Sequence, residues 1–266
     1  MPLDLSPYAA VLLDLDGTVY HEDHALPGAI ELIHKLQAAN RPFACLTNST
    51  TSPDRLTARL AGMGAAVGAG QIYTAAAAAA DYVRQRFAVA GRRPRVFNLA
   101  TEGVQEMLDG AVDWVPSADG PCDVVVAGAP ANFYATEDRR RTALALLRGG
   151  AALVGVCADR VYPSPRGIEF GSGALSHYLG YAADVAPTFC GKPEPVFFHE
   201  LCRRLNVPPD RCLLVGDNLE SDVGGGKRVG MRTILTLSGV ATRRDAEKLP
   251  PEARPDAVIT DLTELL

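Results

Sequence analysis

Paired cysteines are missing from this chain of 266 residues. Its six cysteines, Cys45, Cys122, Cys157, Cys190, Cys202 and Cys212, are scattered and never form a C-x-x-C arrangement. That argues against a zinc site or a disulfide framework and leaves reduced thiols as the expectation. An excess of positive charge is missing too. With 26 Lys and Arg against 31 Asp and Glu, the formal net charge is −5, so the chain offers no electrostatic footprint for nucleic acid. The short basic patches at Gly91–Arg95 and Asp138–Arg141 read as solvated faces. No apolar run is long enough to span a bilayer, and the opening MPLDLSPYAA has neither the basic start nor the apolar run of a signal peptide. No membrane partner is expected, and a cytoplasmic location is. The composition of a disordered chain is likewise absent, because 47% of residues are hydrophobic and only 21% charged. The length allows one large domain or two modest ones.

What is present is an alternation of short aliphatic runs with helical patterns. Ala10–Leu15, Phe43–Leu46, Leu213–Val215, Thr233–Leu237 and Ala257–Thr260 are aliphatic or β-branched and closed by polar residues or glycine, as buried parallel strands are. Between them, Ala29–Ala39 carries Ile30, Leu32, Ile33 and Leu36 on one helical face, and Asp54–Ala61, Pro195–Leu205 and Asp222–Val229 also read as helices. This order implies right-handed crossovers and an α/β doubly wound parallel sheet, which binds ligands at the carboxyl ends of its strands. The middle of the chain breaks the rhythm. An alanine run at Ala75–Ala80, which Thr74 can cap, leads into a second set of strands at Arg95–Leu99, Val124–Ala127 and Leu153–Val156, with helices at Glu102–Leu108 and Glu137–Leu147. The reading is therefore a discontinuous core, residues 1–75 and 187–266, with a smaller α/β domain inserted at residues 76–186.

The acidic residues gather where such a sheet holds its ligand. VLLDLDGTVY, Val11 to Tyr20, runs a strand into Asp14 and Asp16, and Gly216-Asp217-Asn218 with Asp222 follows another strand. Four carboxylates at one sheet edge repel one another unless a divalent cation neutralises them, and an oxygen-only donor set favours Mg²⁺. Thr47-Asn48 and Lys192 reach the same edge. Hydroxyl, amide and ammonium donors beside a carboxylate-bound metal form a cradle for a phosphoryl group. Two nearby features are set aside. His21 and His24 read as loop histidines without a third zinc ligand. Gly224-Gly225-Gly226-Lys227 has Arg228 where a phosphate loop needs Ser or Thr.

DLDGT at Asp14–Thr18, LTN at Leu46–Asn48, GKP at Gly191–Pro193 and GDNLESD at Gly216–Asp222 resemble, in order, the four motifs of the haloacid dehalogenase superfamily. The insertion between the second and third motifs resembles the large α/β cap of the NagD-like, or nitrophenylphosphatase-like, branch, as do VYHEDHALPGA, TNST and LSGVAT. The resemblance implies a phosphatase of small phosphomonoesters, such as sugar phosphates, nucleoside monophosphates, phosphoglycolate or pyridoxal phosphate, working through an aspartyl-phosphate. It implies Asp14 as nucleophile and Asp16 as general acid and base whose carbonyl also ligates Mg²⁺. Asp217 would be a further metal ligand, with Asp222 in the outer shell or reaching the metal through water. Thr47, Asn48 and Lys192 would bind the phosphoryl group, and Gly17 would let the backbone turn around it. After the strand at Leu153–Val156, relatives usually carry Thr-Asn-x-Asp where this chain reads VCADRVYPSPRG. Asp159–Arg166 is expected to be a loop over the site, with Asp159, which matches the relatives, Tyr162 and Arg166 as the substrate-specificity residues and the latter two as candidates for reading the leaving group. A phosphoacceptor module without turnover is the rival reading, and Asp16 argues against it because a general base there hastens hydrolysis; a phosphomutase is a third. The partner expected is a small phosphorylated metabolite, and assembly into a homo-oligomer stays open.

Overall fold

The computed structural model describes residues 3–129, 136–164 and 167–266. The chain divides into two compact units, one made of Met1–Thr47, Pro53–Tyr73 and Lys192–Leu266, the other of Asn48–Ser52 and Thr74–Gly191. Among the described residues, no helix is long and apolar enough to cross a membrane.

The first unit is built on a six-stranded sheet in the order Ala257–Ile259, Arg232–Thr236, Cys212–Gly216, Ala10–Asp14, Phe43–Thr47, Ile72–Thr74. The pairs joining the first five of these strands are parallel. Ala10–Asp14, Phe43–Thr47 and Cys212–Gly216 are buried along their whole length, which is why they read as unbroken aliphatic runs rather than alternating ones. One face of the sheet packs Val11, Leu13, Cys45 and Val215 against Leu32, Ile33 and Leu36 of the helix Ala29–Ala38 and Leu56 and Leu60 of the helix Pro53–Gly62. Register matters for chemistry here. Asp14 lies opposite Leu46, and Leu13 opposite Val215, so the strands bearing the acidic and Thr-Asn motifs end side by side.

The second unit holds a five-stranded parallel sheet in the order Thr188–Phe189, Ala152–Gly155, Val124–Ala127, Arg95–Leu99, Asp113–Trp114. Phe97, Leu99, Val125, Ala127 and Leu153 form its core with Ala143, Leu146 and Leu147 of the helix Glu137–Arg148 and Leu179 of the helix Ser172–Ala183. The alanine run becomes the first half of a helix, Ala75–Phe87, and Thr74 caps it by accepting the Ala77 N–H at 3.1 Å.

Residues 48–52 group with the second unit, where Thr50 Oγ1 donates to Ala129 O at 2.8 Å and Thr101 Oγ1 donates to Thr50 O at 2.9 Å. Two expectations are corrected. The stretch Asp159–Arg166 is not a plain loop. Val161–Ser164 pairs antiparallel with Gly167–Phe170, Tyr162 stands opposite Glu169, and Ser164 Oγ donates to Glu169 Oε1 at 3.2 Å. The helix expected over Asp222–Val229 starts earlier, as a wide turn over Leu219–Gly224 and a short helix over Gly225–Arg228, because Asn218 Oδ1 accepts the N–H groups of Glu220 and Ser221, both at 2.9 Å.

Candidate active site

The first strand ends at Asp14, whose side chain is buried with only 5% of the residue exposed. Beyond it the chain turns sharply: Leu15 O accepts the N–H groups of Val19 and Tyr20 at 2.8 and 3.0 Å, and Gly17 N donates to Tyr20 O at 2.8 Å. The turn puts Gly17 at φ +84°, and a Cβ there would come 2.5 Å from Asp217 Oδ2, so the position needs glycine for both conformation and space.

Lys192 opens the last segment of this unit and is buried. Its Nζ donates to Asp14 Oδ1 and, at 2.6 Å, to Asp222 Oδ1. The other oxygen of Asp222 accepts the Asn218 N–H at 3.1 Å, so Asp222 is held by its own turn while Asn218 serves as the cap. Asp217 Oδ2 accepts the Val240 N–H at 2.7 Å, and Ser238 Oγ donates to Gly17 O at 2.8 Å. Asp14, Asp217 and Asp222 each contribute an oxygen lying within 4.8 Å of the others. Three buried carboxylates thus face one buried ammonium.

The electrostatics follow from that imbalance. Burial first, and then the Asp222 carboxylate, push the Asp14 carboxyl well above the ordinary range, with Lys192 pulling it back. Burial also raises Asp217, opposed mainly by the Val240 N–H. For Lys192 burial works toward a lower value, but the facing carboxylates of Asp14 and Asp222 outweigh it, so the ammonium stays charged. The remaining excess of negative charge, carried on hard oxygen donors, fits a small divalent cation that retains water ligands. Asp14, Asp217 and Asp222 are the residues that would hold it.

The residues expected at the site, where described, therefore fall into three groups. Asp14, Gly17, Lys192, Asp217 and Asp222 meet in the first unit, where Thr47 is buried at the end of its strand, one residue past the partner of Asp14. Asp16 does not join the buried carboxylates. The strand stops at Asp14, Leu15 goes into the core, and Asp16 is exposed beside Tyr20. Asn48, Asp159 and Tyr162 belong to the second unit. Asn48 Nδ2 donates to both Asp159 oxygens at 3.1 Å, and Tyr162 is half-buried in the hairpin. Arg166 lies outside the described residues. His21 and His24 face each other as an exposed pair on a short hairpin, and Gly225 and Gly226 pack against Phe198 and Leu214.

Sequence reasoning missed the grip on Asp217 by the segment after Arg232–Thr236, in which Val240 N and Ser238 Oγ act on Asp217 and Gly17 and Thr236 Oγ1 lies 2.8 Å from Ser238 Oγ. The only signal was LSGVAT, which carries no acid or base to draw notice.

Comparison with known proteins agrees with this geometry. Residues 11–111 match the haloacid dehalogenase-like hydrolase family, and residues 189–265 match a second HAD-hydrolase-like family. The chain is 33% identical over 97% of both chains to haloacid dehalogenase-like hydrolase domain-containing protein 2 of Bos taurus. It is 30% identical, over 97% of both, to the acid sugar phosphatase of Staphylococcus saprophyticus. Among solved structures, the 4-nitrophenylphosphatase of Thermotoga maritima superposes with a TM-score of 0.87 at 30% identity, covering 98% of this chain and 97% of that one. The glycerol phosphate phosphatase of Mycobacterium tuberculosis in complex with magnesium superposes with a TM-score of 0.86 at 26% identity, covering 100% and 79%. NagD of E. coli K-12 gives 0.84 at 26% identity, covering 97% and 98%. The chain belongs to the haloacid dehalogenase-like hydrolases, and its fold is that of their NagD-like phosphatases.

Proposed function

We propose that this protein is a Mg²⁺-dependent phosphatase of small phosphomonoesters, of the sugar phosphate, nucleoside monophosphate, phosphoglycolate or pyridoxal phosphate type. The observation that carries the reading is the buried cluster in which Lys192 is clasped by Asp14 and Asp222 with Asp217 beside them. The magnesium in the glycerol phosphate phosphatase of Mycobacterium tuberculosis supports the choice of metal. In this reading residues 1–75 and 187–266 form the catalytic core and residues 76–186 the cap.

Asp14 Oδ attacks phosphorus, the bond from phosphorus to the ester oxygen breaks, and Asp16 gives its proton to that oxygen, leaving an aspartyl-phosphate and a free alcohol. Asp16 then takes a proton from water as the water oxygen attacks phosphorus, which releases inorganic phosphate and restores both carboxyl groups. Its exposed position suits it to exchange protons with solvent. Lys192 keeps Asp14 oriented and offsets charge on the phosphoryl oxygens, and the Thr47 hydroxyl donates to one of them. Bound Mg²⁺ would supply further neutralisation of phosphoryl charge. The Asn48 side-chain NH₂ is committed to Asp159, so a phosphoryl contact from this residue would come from its main chain. Tyr162 and Arg166 are proposed to read the leaving group.

Hydrolysis of 4-nitrophenyl phosphate by purified protein tests the reading. Activity should disappear with EDTA and return with added Mg²⁺. Full activity in a preparation shown to be metal-free would overturn the metal assignment, and no hydrolysis of any phosphomonoester with Mg²⁺ would overturn the phosphatase.

A further inference from the structure

Cys157, two residues past the strand Ala152–Gly155, lies in a hydrogen-bond chain that the phosphatase reading does not use. Cys157 Sγ donates to Asp159 Oδ2 at 3.2 Å, and both Asp159 oxygens accept from Asn48 Nδ2 at 3.1 Å. Burial holds the Cys157 thiol far above its ordinary pKa, so it keeps the proton it donates.

Asn48 is fixed by this chain in one amide orientation, with its nitrogen toward Asp159 and its oxygen toward Gly191. A Cβ on Gly191 would come 2.7 Å from Asn48 Oδ1 and 2.7 Å from Cys157 Cβ, so Asn48, Cys157 and Gly191 are in close contact. The Gly191 N–H also donates to Val156 O at 2.8 Å. Asn48 is peptide-bonded to Thr47 and Gly191 to Lys192, the two residues assigned to the phosphoryl group.

We propose that Asp159 is a positioning residue, which through its hydrogen bonds to Asn48 holds the peptide segment that follows Thr47, rather than a residue that contacts the leaving group. The role of Cys157 is to aim that carboxylate. The Asn48 N–H shared between both Asp159 oxygens is charge-assisted and so stronger than a bond between neutral groups, and small misplacements of phosphoryl ligands are costly in rate. The proposal rests on the phosphatase reading for its activity assays but not for the Asn48–Asp159 pair itself.

The test uses the whole protein with Mg²⁺, 4-nitrophenyl phosphate and a sugar phosphate. Asp159→Ala should lower kcat by the same factor on both substrates, on the order of 10- to 100-fold, with KM changed by less than about twofold. Asp159→Asn, which preserves shape and one acceptor oxygen, should fall between this variant and the parent. Asn48→Ala should lose as much as Asp159→Ala, and the double variant no more than either single one. Cys157→Ser, which keeps a donor, should stay within about twofold of the parent, while Cys157→Ala should lose several-fold. In NMR spectra, the Asn48 side-chain NH₂ signals, identified by their loss in Asn48→Ala, should shift in Asp159→Ala. A loss confined to the sugar phosphate, multiplicative losses in the double variant, or shifted NH₂ signals with unchanged kcat would each overturn the proposal. If the parent hydrolyses neither substrate, the phosphatase reading fails, and NH₂ signals unmoved by Asp159→Ala would separately overturn the pair.

Discussion

Lys192→Met removes the ammonium from the centre of the acidic cluster while keeping the length of the side chain. In the parent, Nζ lies between Asp14 and Asp222, and all three residues are at most 5% exposed. Removing one partner of a buried pair leaves uncompensated charge and costs about 3–5 kcal/mol. For a unit of this size, about 2–4 °C of melting temperature accompanies each kcal/mol, so the first unit should melt about 6–20 °C lower at neutral pH. The loss should be pH-dependent in a definite direction. Without Lys192 the folded-state pKa of Asp14, already raised by burial, rises further above its unfolded value, so between the two the folded state binds more protons than the unfolded one. Stability then falls as pH rises toward the folded value and is regained as pH drops toward the unfolded value near 4. The assay is thermal unfolding of parent and variant without metal from about pH 5 to pH 8, with the gap between them narrowing toward the acid end. Equal melting temperatures at pH 7.5, or a gap that widens on acidification, would refute the view that Lys192 compensates buried carboxylate charge.

Two further predictions bear on the same cluster. Asp14→Asn should abolish turnover on 4-nitrophenyl phosphate yet leave the metal-free protein at least as stable as the parent, because it removes one of three crowded carboxylates; retained turnover with unchanged metal dependence would place the nucleophile elsewhere. Gly17→Ala should cost about 1–3 kcal/mol and nearly all activity, since it strains a φ of +84° and drives a methyl group into the Asp217 carboxylate; a crystal structure with Asp217 unmoved and normal kcat would contradict that account.

The primary sequence by itself determined the parallel strands of the first unit, the helices between them and the acidic motifs at their ends. Strands buried on both faces must be continuously apolar, and a strand that ends in Asp at a ligand edge announces itself by that contrast. The Ala75–Phe87 helix and its Thr74 cap were legible for the same local reason, alanine propensity beside a capping hydroxyl. Only the tertiary structure decided which carboxylates share charge. Asp14 and Asp16 are two residues apart and look equivalent in the sequence, yet the sharp turn after Leu15 buries one and exposes the other. It also decided the hairpin at Val161–Phe170, where cross-strand pairing across a two-residue gap carries no helical or long-strand period, and the pairing of Asn48 with Asp159, which lie 111 residues apart in the chain. Local periodicity reports what a segment does with its own neighbours. Hydrogen bonds between distant segments leave no period to read, so Asn48, Cys157 and Asp159 become one unit only when the chain has folded.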